Sequence, residues 1–411
     1  MVDFYRPDLA IIGAGLAGLT CALALQRAGL RPVIFEQSPV LGEVGAGIML
    51  TPNASIVLHH LGLLDALQGG SIEPENNYLH DHVDDGIISN SDLGMKAFRE
   101  AGNPFRTIHR SDLHSLLCAA VLANDAGCIR VDHGLVDIVD EGSSVALGFA
   151  NGASAKAGIV IGSDGIRSIV RRKLFDETQP EFTGNVAWRG VVDNRDASYR
   201  MDAGDMGNWI GPERNVVVYP LRGGRELNYV AISRRDSWVA EGWNVRSTPA
   251  ELVAEFSGWS PRILAMFAAT PADRCFKWGL FDREPMIEIA RGRVALLGDA
   301  AHPMLPFLAQ GSAMGIEDAI TMSRCLAIFN DPIFAFKAYE TARRDRTGWV
   351  QFQARQARKL FHAKIGSQTL SDRVARSERL YNYNAVTVTI PTIVDAADMS
   401  KAARSAVEPE A

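Results

Sequence analysis

The sequence predicts an α/β fold in which a mostly parallel sheet, flanked by helices, is interrupted by a second sheet and followed by further helices. Three observations carry this prediction. Residues 8–36 show a strand, a glycine turn, a helix and a second strand, and residues 294–319 show another strand, turn and helix. Between them, residues 181–235 contain short runs of alternating apolar and polar residues, the pattern of a sheet with one buried face.

The order of these patterns places the second sheet inside the first unit and not at one end of it. We therefore predict a main domain in two parts, 1–180 and 276–330. A sheet domain at 181–275 separates the two parts, and a helical region with a tail follows at 331–411.

Three further segments have patterns of their own. Residues 333–362 repeat apolar residues with the period of an amphipathic helix, and Gly348 is the point where that helix would break. The polar stretch 74–100 has no clear period, which predicts irregular chain. The final residues, 400–411, predict a loose tail.

The chain of 411 residues is 47% apolar and 22% charged, an ordinary balance for a globular protein. Its net charge of −6 argues against nucleic-acid binding, which requires a basic surface. The chain has no long uncharged apolar run and no signal pattern before its first strand, so we predict a cytoplasmic protein that does not contact a membrane. Scattered cysteines and the lack of ligand-spaced histidines predict reduced thiols and no metal site.

The first glycine turn, Gly13–Gly18, has the spacing G-x-G-x-x-G directly between a strand and a helix. Its glycines let the backbone approach a pyrophosphate at the helix N-terminus, where free N–H groups and the helix dipole favour an anion. Glu36 ends the next strand, about 20 residues further on, where a carboxylate accepts hydrogen bonds from a ribose diol. The alternative is a turn used only for close packing, and the turn alone does not distinguish FAD from NAD.

The second turn follows the strand Val294–Leu297 with Gly298 and Asp299, at the carboxyl end of the sheet, where α/β proteins bind ligands. A carboxylate there accepts hydrogen bonds from a polyol, and the helix that follows Gly311 offers N–H groups to an electron-rich ring edge. A flavin with its ribityl chain satisfies both demands. The alternative is that Asp299 caps a helix and that His302 is a satisfied core histidine.

On these motifs the sequence resembles the class A flavoprotein aromatic monooxygenases, the group with salicylate, 3-hydroxybenzoate and 6-hydroxynicotinate hydroxylases. The resemblance is carried by the two glycine turns and by the Asp-Gly element Gly162–Ser168 between them. It extends through His109–Leu113, Ala187–Gly190 and Val218–Gly224 and covers about residues 8–360. Three motifs in the family's order and spacing make the resemblance specific.

The resemblance implies a Rossmann-like FAD-binding domain with an inserted substrate domain, as in para-hydroxybenzoate hydroxylase. It implies tightly bound FAD with NADH or NADPH as a transient co-substrate, and it leaves the choice between a monomer and a homodimer open. NAD(P)H would reduce the flavin, O2 would add at flavin C4a, and the hydroperoxide would hydroxylate a small electron-rich aromatic acid or phenol. Such a substrate resembles salicylate or hydroxybenzoate and is hydroxylated with or without loss of its carboxylate.

The two turns and the resemblance together identify the residues expected to hold the cofactor. Arg110 matches the family's FAD-contacting arginine, and Asp164 lies in the element that seats the pyrophosphate and is implicated in nicotinamide binding. Asp299 is expected to bind the ribityl chain. The predicted cofactor contacts are Gly13, Gly15, Leu16, Ala17, Gly18, Glu36, Gln37, Gly47, Arg110, Leu135, Asp164, Asp299, Gly311 and Ser312.

The substrate pocket departs from the family pattern at three positions. The hydroxybenzoate and hydroxynicotinate branches carry a histidine base where this chain has Asn215, and the hydroxynicotinate branch carries histidines where it has Met49 and Phe307. Without these imidazoles the pocket is expected to be more apolar, and 6-hydroxynicotinate is disfavoured as a substrate. The ring then needs no strong base, because an ortho hydroxyl or amino group activates it or because it binds as its anion.

The candidate catalytic residues are His302, Tyr219 and Asn215, and the candidate substrate contacts are Met49, Arg189, Tyr219 and Phe307. His302 either fixes the loop under the flavin or transfers a proton. Arg189 either binds a substrate carboxylate through its planar guanidinium or forms an ordinary salt bridge. Tyr219 is either a substrate contact or an interior tyrosine.

Two other functions are open on the sequence alone. An FAD-dependent oxidase, epoxidase or hydroxylase of a larger secondary metabolite would share the fold, and a non-enzymatic nucleotide-binding regulator is the third alternative. Bound FAD would exclude the regulator. The rate of NAD(P)H oxidation with a panel of aromatic acids would then separate the remaining two.

Overall fold

The computed structural model describes residues 4–42, 46–90, 94–238, 245–362 and 370–391, and the predicted tail at 400–411 lies outside them. Within the described residues the strands are β1 (Phe4–Tyr5), β2 (Leu9–Ile12), β3 (Pro32–Phe35), β4 (Gly47–Leu50), β5 (Asn76–Asp81), β6 (Ile87–Asn90), β7 (Arg106–His109), β8 (Ile129–Arg130), β9 (Leu135–Asp140), β10 (Val145–Phe149), β11 (Ser154–Ala157), β12 (Ile159–Gly162), β13 (Glu181–Asp193), β14 (Asp205–Gly211), β15 (Arg214–Leu221), β16 (Glu226–Arg234), β17 (Val245–Arg246), β18 (Phe276–Asp282), β19 (Ala290–Arg291) and β20 (Val294–Leu296).

The helices of the same residues are α1 (Leu16–Arg27), α2 (Pro52–His60), α3 (Leu64–Gly70), α4 (Met95–Glu100), α5 (Arg110–Asn124), α6 (Ile169–Leu174), α7 (Pro249–Glu255), α8 (Pro261–Ala268), α9 (Gly311–Ile328), α10 (Pro332–His362) and α11 (Leu370–Tyr381). Short 3-10 turns cover Gly298–Ala300 and Pro306–Leu308. The predicted break at Gly348 is absent, because α10 runs through this residue as one continuous helix.

Six of the described strands form the main sheet, in the order β19-β20-β12-β2-β3-β8. All of its neighbours pair in parallel except β19, which joins β20 antiparallel. Every residue of β2 and β12 is buried, which is typical of a parallel sheet covered on both faces. The predicted strand–turn–helix–strand unit is confirmed, and the predicted strand of the second turn is β20 of the same sheet.

A second sheet of eight described strands has the order β17-β18-β13-β16-β15-β14-β5-β6. Its strands alternate between two faces: Trp188, Val216 and Tyr229 lie on one face and pack with α7 and α8. The other face carries Asn215, Val217, Tyr219, Val230 and Ile232, which line a cavity. The sheet is therefore both the wall of a hydrophobic core and the wall of a binding site.

The second sheet also takes strands from outside 181–275. β5 and β6 lie in 76–90, where the polar sequence predicts irregular chain, and β18 begins at Phe276. Polar pairing replaces the apolar period in β5: Asn76 bonds to Asp205 at 2.9 Å, and Asn208 donates to Asn77 at 2.6 Å. The division of the chain at 181 and 275 stays a prediction.

Two small sheets complete the described structure, β1-β11-β10-β9 and the pair β4-β7. The β4-β7 pair is bound to the second sheet, because the Gly47 N–H donates to the Asn228 side chain of β16 at 2.6 Å. No side chain fits at Gly47, since a Cβ there would lie 2.5 Å from the Tyr219 ring. The strand that carries Met49 is thereby held against the cavity face of the second sheet.

Small residues let α1, the turn after β20 and α9 meet in close contact. A Cβ on Gly315 of α9 would lie 2.8 Å from the Ala17 Cβ of α1, and a Cβ on Gly298 would lie 3.1 Å from the same atom. Gly298 also has a φ of +59°, a backbone region that favours glycine. The N-terminal ends of two helices that are almost three hundred residues apart are therefore neighbours.

Gly315→Ala is expected to destabilise the fold at this contact. The added methyl group would force α9 away from α1, and overpacking of this kind costs about 1–3 kcal/mol of unfolding free energy. The matched control is Gly69→Ala in α3, where the new methyl group meets nothing within 4 Å. Circular dichroism should show a lower thermal midpoint for the first variant alone. Equal midpoints would contradict the close contact.

Candidate active site

The turn Gly13–Gly18 joins β2 to α1 and leaves no room for side chains at its two ends. A Cβ on Gly13 would lie 2.6 Å from the Ser163 carbonyl oxygen, and one on Gly18 would lie 2.1 Å from the Gly13 carbonyl oxygen. Gly15 instead faces open space just before the first turn of α1. The first N–H groups of α1 have no partner within the helix, so this open space suits an anion.

Glu36 follows β3 and binds the backbone of two neighbouring turns. Its Oε2 accepts from the Ala14 N–H at 2.7 Å, and its Oε1 accepts from the Ser38 N–H at 2.8 Å. Because a carboxylate accepts several hydrogen bonds, these contacts leave capacity for a ribose. Of the other residues predicted for this end, Gln37 is exposed and Leu135 is buried at the start of β9.

Asp164 follows β12 and caps α6. Its carboxylate accepts from Ser168 Oγ at 2.5 Å and from the Ile169 N–H at 2.7 Å. Burial raises the pKa of Asp164, and these donors oppose the rise only in part. The adjacent Ser163 hydroxyl donates to the Gly13 carbonyl at 3.0 Å. The Asp-Gly element is thereby tied to the first glycine turn.

The second turn places Asp299 beside the N-terminal end of α9. The carboxylate oxygen of Asp299 lies 4.0 Å from the position that a Cβ on Gly311 would take. Burial raises the pKa of Asp299, while the charges of Arg110 and His302 act in the opposite direction. Arg110 begins α5, and its backbone N–H bonds to the Ala46 carbonyl at 3.0 Å. Both glycine turns thus converge on one polar region.

A buried ionic cluster lies beneath the second turn. We define it as His302, Glu317, Asp318, Arg343 and Arg346, all of them less than one-tenth exposed. Glu317 pairs with Arg343 at 2.7 Å and with Arg346 at 2.9 Å. These pairs join α9 to α10, and Arg346 also donates to the Leu380 carbonyl of α11 at 2.8 Å.

Asp318 connects the ionic cluster to the turn itself. Its Oδ2 accepts from the Gly298 N–H at 2.8 Å and lies 2.5 Å from His302 Nε2, while its Oδ1 accepts from Arg343 Nε at 2.6 Å. Burial alone would raise the pKa of Asp318, but the charges of His302 and Arg343 outweigh it and lower the pKa to about 2. Asp318 therefore stays ionised and holds the turn.

A cavity of about 590 Å³ lies between the two turns and the second sheet. On its cofactor side it is lined by eight of the predicted cofactor residues: Gly15, Leu16, Ala17, Gly47, Arg110, Asp299, Gly311 and Ser312. Gly13, Gly18, Glu36, Gln37, Leu135 and Asp164 are outside the lining. Of these, Gly13 and Gly18 shape the first turn, Glu36 accepts from the Ala14 N–H within it, and Asp164 accepts from the first N–H groups of α6.

The sheet side of the cavity carries four of the residues predicted for substrate and catalysis: Met49, Asn215, Tyr219 and Phe307. Asn215 is almost completely buried, and its Oδ1 has no hydrogen-bond partner among the described residues. Burial raises the pKa of Tyr219, which keeps its hydroxyl protonated at neutral pH. The described lining thus offers phenols and amides, among them Tyr219 and Asn215, but no imidazole.

The other two predicted residues, Arg189 and His302, are not part of the described lining. Arg189 pairs with Val230 across β13 and β16, so it lies on the cavity face, but its guanidinium stacks 5.3 Å from the Trp278 ring centroid. His302 belongs to the ionic cluster. The two roles considered for each residue both remain hypotheses.

Sequence patterns missed two parts of the site. One is the ionic cluster, whose signal was the charged pair Glu317-Asp318 inside an otherwise small and apolar helix. The other is α11, which lines the cavity with Arg376, Ser377, Leu380 and Tyr381. No short motif marks α11, because its place at the cavity arises only from packing far along the chain.

A second cavity of about 520 Å³ adjoins the first and shares Asp299, Met304 and Pro306 with it. Its lining includes three arginines and three aromatic residues: Arg167, Arg172, Arg283, Trp238, Trp278 and Phe281. Within the described residues, no His, Cys, Asp and Glu group is arranged to hold a metal ion, and no helix is long and apolar enough to cross a membrane.

Comparison with known proteins identifies the family of this chain. The family model described as an FAD binding domain matches residues 6–347. The 3-amino-4-hydroxybenzoate 2-monooxygenase PtmB3 of Streptomyces platensis is 34% identical over 92% of this chain and 95% of its own length. A 6-hydroxynicotinate 3-monooxygenase of Bordetella bronchiseptica is 36% identical over 84% and 90%.

The chain belongs to the class A flavoprotein aromatic monooxygenases. The solved structure of HpxO from Klebsiella pneumoniae, in complex with FAD and uric acid, shares the fold with a TM-score of 0.79. It is 24% identical and covers 92% of this chain and 93% of the other. The predictions of family, fold and enzyme class are confirmed, and this FAD-dependent monooxygenase has the para-hydroxybenzoate hydroxylase-like fold.

The residues present fit FAD. The first turn is so tightly packed that a Cβ at Gly13 or Gly18 would collide with backbone oxygens, and Gly15 between them faces open space, as a pyrophosphate requires. The second turn offers the Asp299 carboxylate, an acceptor for a polyol, next to the N-terminus of α9. The cavity joins the two turns without interruption.

Asp299→Ala is expected to weaken FAD binding by tenfold or more, because a hydrogen bond to a charged group contributes about 1.5–3 kcal/mol. The ratio of flavin to protein absorbance after purification, and FAD titration of the apoprotein, measure the effect. Glu100→Ala removes a carboxylate from the exposed end of α4 and should leave FAD content unchanged. Normal FAD retention by Asp299→Ala would show that this carboxylate does not bind the cofactor.

Proposed function

We propose that this monooxygenase hydroxylates a single-ring aromatic carboxylic acid that already carries an activating hydroxyl or amino group, as 3-amino-4-hydroxybenzoate does. One observation carries the proposal. The sheet side of the described cavity presents the Asn215 amide and the Tyr219 hydroxyl to the substrate, and no imidazole or carboxylate base. A ring with ortho amino and hydroxyl groups is electron-rich without deprotonation, so it needs hydrogen-bond partners and not a base.

The shape of the cavity supports a small substrate. About 590 Å³ must accept both the flavin ring and the substrate, and single-ligand pockets commonly take 300–1,000 Å³. Met49, Phe307, Val217 and Ile232 give the sheet side an apolar lining that packs on a ring and keeps out water. The size favours a benzoate over the larger metabolite of the rival hypothesis.

The relatives point in the same direction. PtmB3 is named for 3-amino-4-hydroxybenzoate, whose ring carries the donors that Asn215 would bind. The relative of B. bronchiseptica is named for 6-hydroxynicotinate. We do not assign that substrate, because Met49 and Phe307 stand where its branch is expected to carry histidines.

Each part of the site has a proposed task. FAD, once reduced by NAD(P)H, supplies the chemistry that activates O2 for insertion into the ring. The first turn and Glu36, with Gln37, Leu135 and Arg110, would hold the adenosine and pyrophosphate end. Asp299 would bind the ribityl chain, and the N-terminus of α9 at Gly311-Ser312 would stabilise negative charge on the flavin edge. His302 would position the second turn through Asp318.

The substrate would lie between the cofactor side and the second sheet. Asn215 Oδ1 would accept a hydrogen bond from the ring amino or hydroxyl group, which satisfies a buried acceptor that has no partner among the described residues. The Tyr219 hydroxyl would be the second polar contact, and Met49 and Phe307 would fix the ring plane. We further propose a cytoplasmic enzyme that acts as a monomer or homodimer.

Wild-type enzyme tests the proposal directly. With 3-amino-4-hydroxybenzoate we expect faster NAD(P)H oxidation, oxygen consumption and one hydroxylated product per NAD(P)H consumed. Benzoate should bind without being hydroxylated, because its ring lacks an activating group. If no activated benzoate increases NAD(P)H oxidation while a large polycyclic metabolite does, the proposed substrate class is wrong.

Asn215→Leu is expected to raise the dissociation constant of 3-amino-4-hydroxybenzoate about fivefold or more, since the buried hydrogen bond is lost and its net value is about 1 kcal/mol or more. The dissociation constant of benzoate, which has no donor, should change by less than about twofold. Titration of the flavin absorbance with each ligand measures both values. An equal loss for the two ligands would mean that Asn215 shapes the pocket and does not bind the ring donor.

The second cavity is our proposed site for the visiting nicotinamide nucleotide. Arg172 lines it on an exposed part of α6, and its neighbour Lys173 points away, to Asp137 at 3.0 Å. Arg172→Gln should raise the KM for NAD(P)H about three- to tenfold and leave the dissociation constant of the aromatic acid unchanged. Lys173→Gln is the matched control, and it should change neither the KM for NAD(P)H nor the dissociation constant of the aromatic acid. Equal KM values for the two variants would place the nucleotide elsewhere.

A further inference from the structure

Charge is rare in the lining of the cavity. Among the described residues that line it, the charged side chains are Arg110, Asp299 and Arg376. Arg110 and Asp299 lie on the cofactor side, and they are close enough for the charge of Arg110 to lower the pKa of Asp299 against the effect of burial. Arg376 stands apart from this pair, on α11.

One face of α11 forms part of the cavity wall. Arg376, Ser377, Leu380 and Tyr381 have the spacing i, i+1, i+4 and i+5, which places them on one side of a helix, and all four line the cavity. The same cavity is lined by Tyr78 and other residues of β5 and β6, at the edge of the second sheet. Arg376 therefore lines the same cavity as the edge of the second sheet.

The position of α11 is fixed by contacts with other parts of the fold. Tyr381 meets Phe105 edge-on, with 4.9 Å between ring centroids. The Arg379 guanidinium lies 4.1 Å from the Trp349 ring centroid of α10, outside the cavity lining. The Leu380 carbonyl accepts from Arg346 of the ionic cluster. The helix that carries Arg376 is thus held in place by Phe105, by α10 and by the ionic cluster.

An aromatic acid that enters this cavity brings a carboxylate out of water. An unpaired buried carboxylate is costly, so the lining has to supply a cation or hydrogen-bond donors. Two cations line the described part of the cavity: Arg110, whose charge acts on Asp299 of the cofactor side, and Arg376 of α11. A guanidinium binds a carboxylate with two parallel hydrogen bonds.

We propose that Arg376 of α11 binds the carboxylate of the substrate and makes the enzyme selective for aromatic acids over neutral phenols. This inference rests on the proposed function. The carboxylate then lies at the α11 end of the cavity, and the activated part of the ring faces Asn215 and the cofactor side. Arg189, on the same sheet face but outside the described lining, is the competing cation.

The test compares two probes that differ only in charge, 3-amino-4-hydroxybenzoate and its neutral amide, 3-amino-4-hydroxybenzamide. Each is titrated into FAD-loaded enzyme and followed by flavin absorbance. Arg376→Gln should raise the dissociation constant of the acid 10- to 100-fold and that of the amide less than twofold. Arg376→Lys should recover part of the loss for the acid, because it restores the charge without the planar guanidinium.

Arg195→Gln is the control, since it removes the same charge from an exposed turn outside the cavity lining, and it should change neither constant. If Arg376→Gln weakens the binding of acid and amide equally, Arg376 has a purely structural role and the proposal is overturned. If Arg189→Gln weakens the binding of the acid alone and Arg376→Gln does not, the carboxylate binds to Arg189, and the proposal is again overturned.

Turnover by wild-type enzyme separates this inference from the proposed function. If wild-type enzyme hydroxylates 3-amino-4-hydroxybenzoate while Arg376→Gln binds it normally, the inference fails and the proposed function stands. If wild-type enzyme hydroxylates neutral aminophenols and does not bind the acid, both the acid substrate and the role of Arg376 are wrong. FAD content equal to wild type in every variant confirms that the cofactor side is intact.

Discussion

The buried carboxylate of Asp318 is the contact on which the rest of the site depends. It binds the Gly298 N–H, the His302 ring and the Arg343 guanidinium, so a single side chain joins the second turn, α9 and α10. Removing one member of a buried ion pair commonly costs about 3–5 kcal/mol, because the remaining charge stays buried and uncompensated. The placement of Asp299 beside the N-terminus of α9 therefore follows from a buried interaction outside the described cavity lining.

Close packing of small residues turns two distant loops into one site. The N-termini of α1 and α9 are brought together by Ala17, Gly298 and Gly315. Either loop alone would offer helix N–H groups to only one half of a dinucleotide cofactor. The second sheet closes this region from the other side with an apolar face that carries Asn215 and Tyr219. In the proposed function, one wall of the cavity holds the cofactor and the other wall selects the ring.

Sequence patterns predicted the parts of the structure whose signals are local. Apolar runs and glycine spacing located β2, β3, β12 and β20 and both turns, because a buried parallel strand and a tight turn each restrict the residues that form them. The strands β5 and β6 were missed, since polar pairs such as Asn77–Asn208 replace their apolar period. Arg376 was missed because its approach to the cavity depends on helix packing, which no spacing in the sequence encodes.

The central claim is that the ionic cluster positions the second turn and that His302 acts through Asp318. The most direct test is His302→Gln, measured for FAD affinity of the apoprotein and for the pH profile of kcat at saturating FAD. We predict FAD binding about tenfold weaker, with both limbs of the pH profile unchanged. Unchanged FAD affinity together with loss of one limb would contradict this account, because it would make His302 a proton-transfer residue.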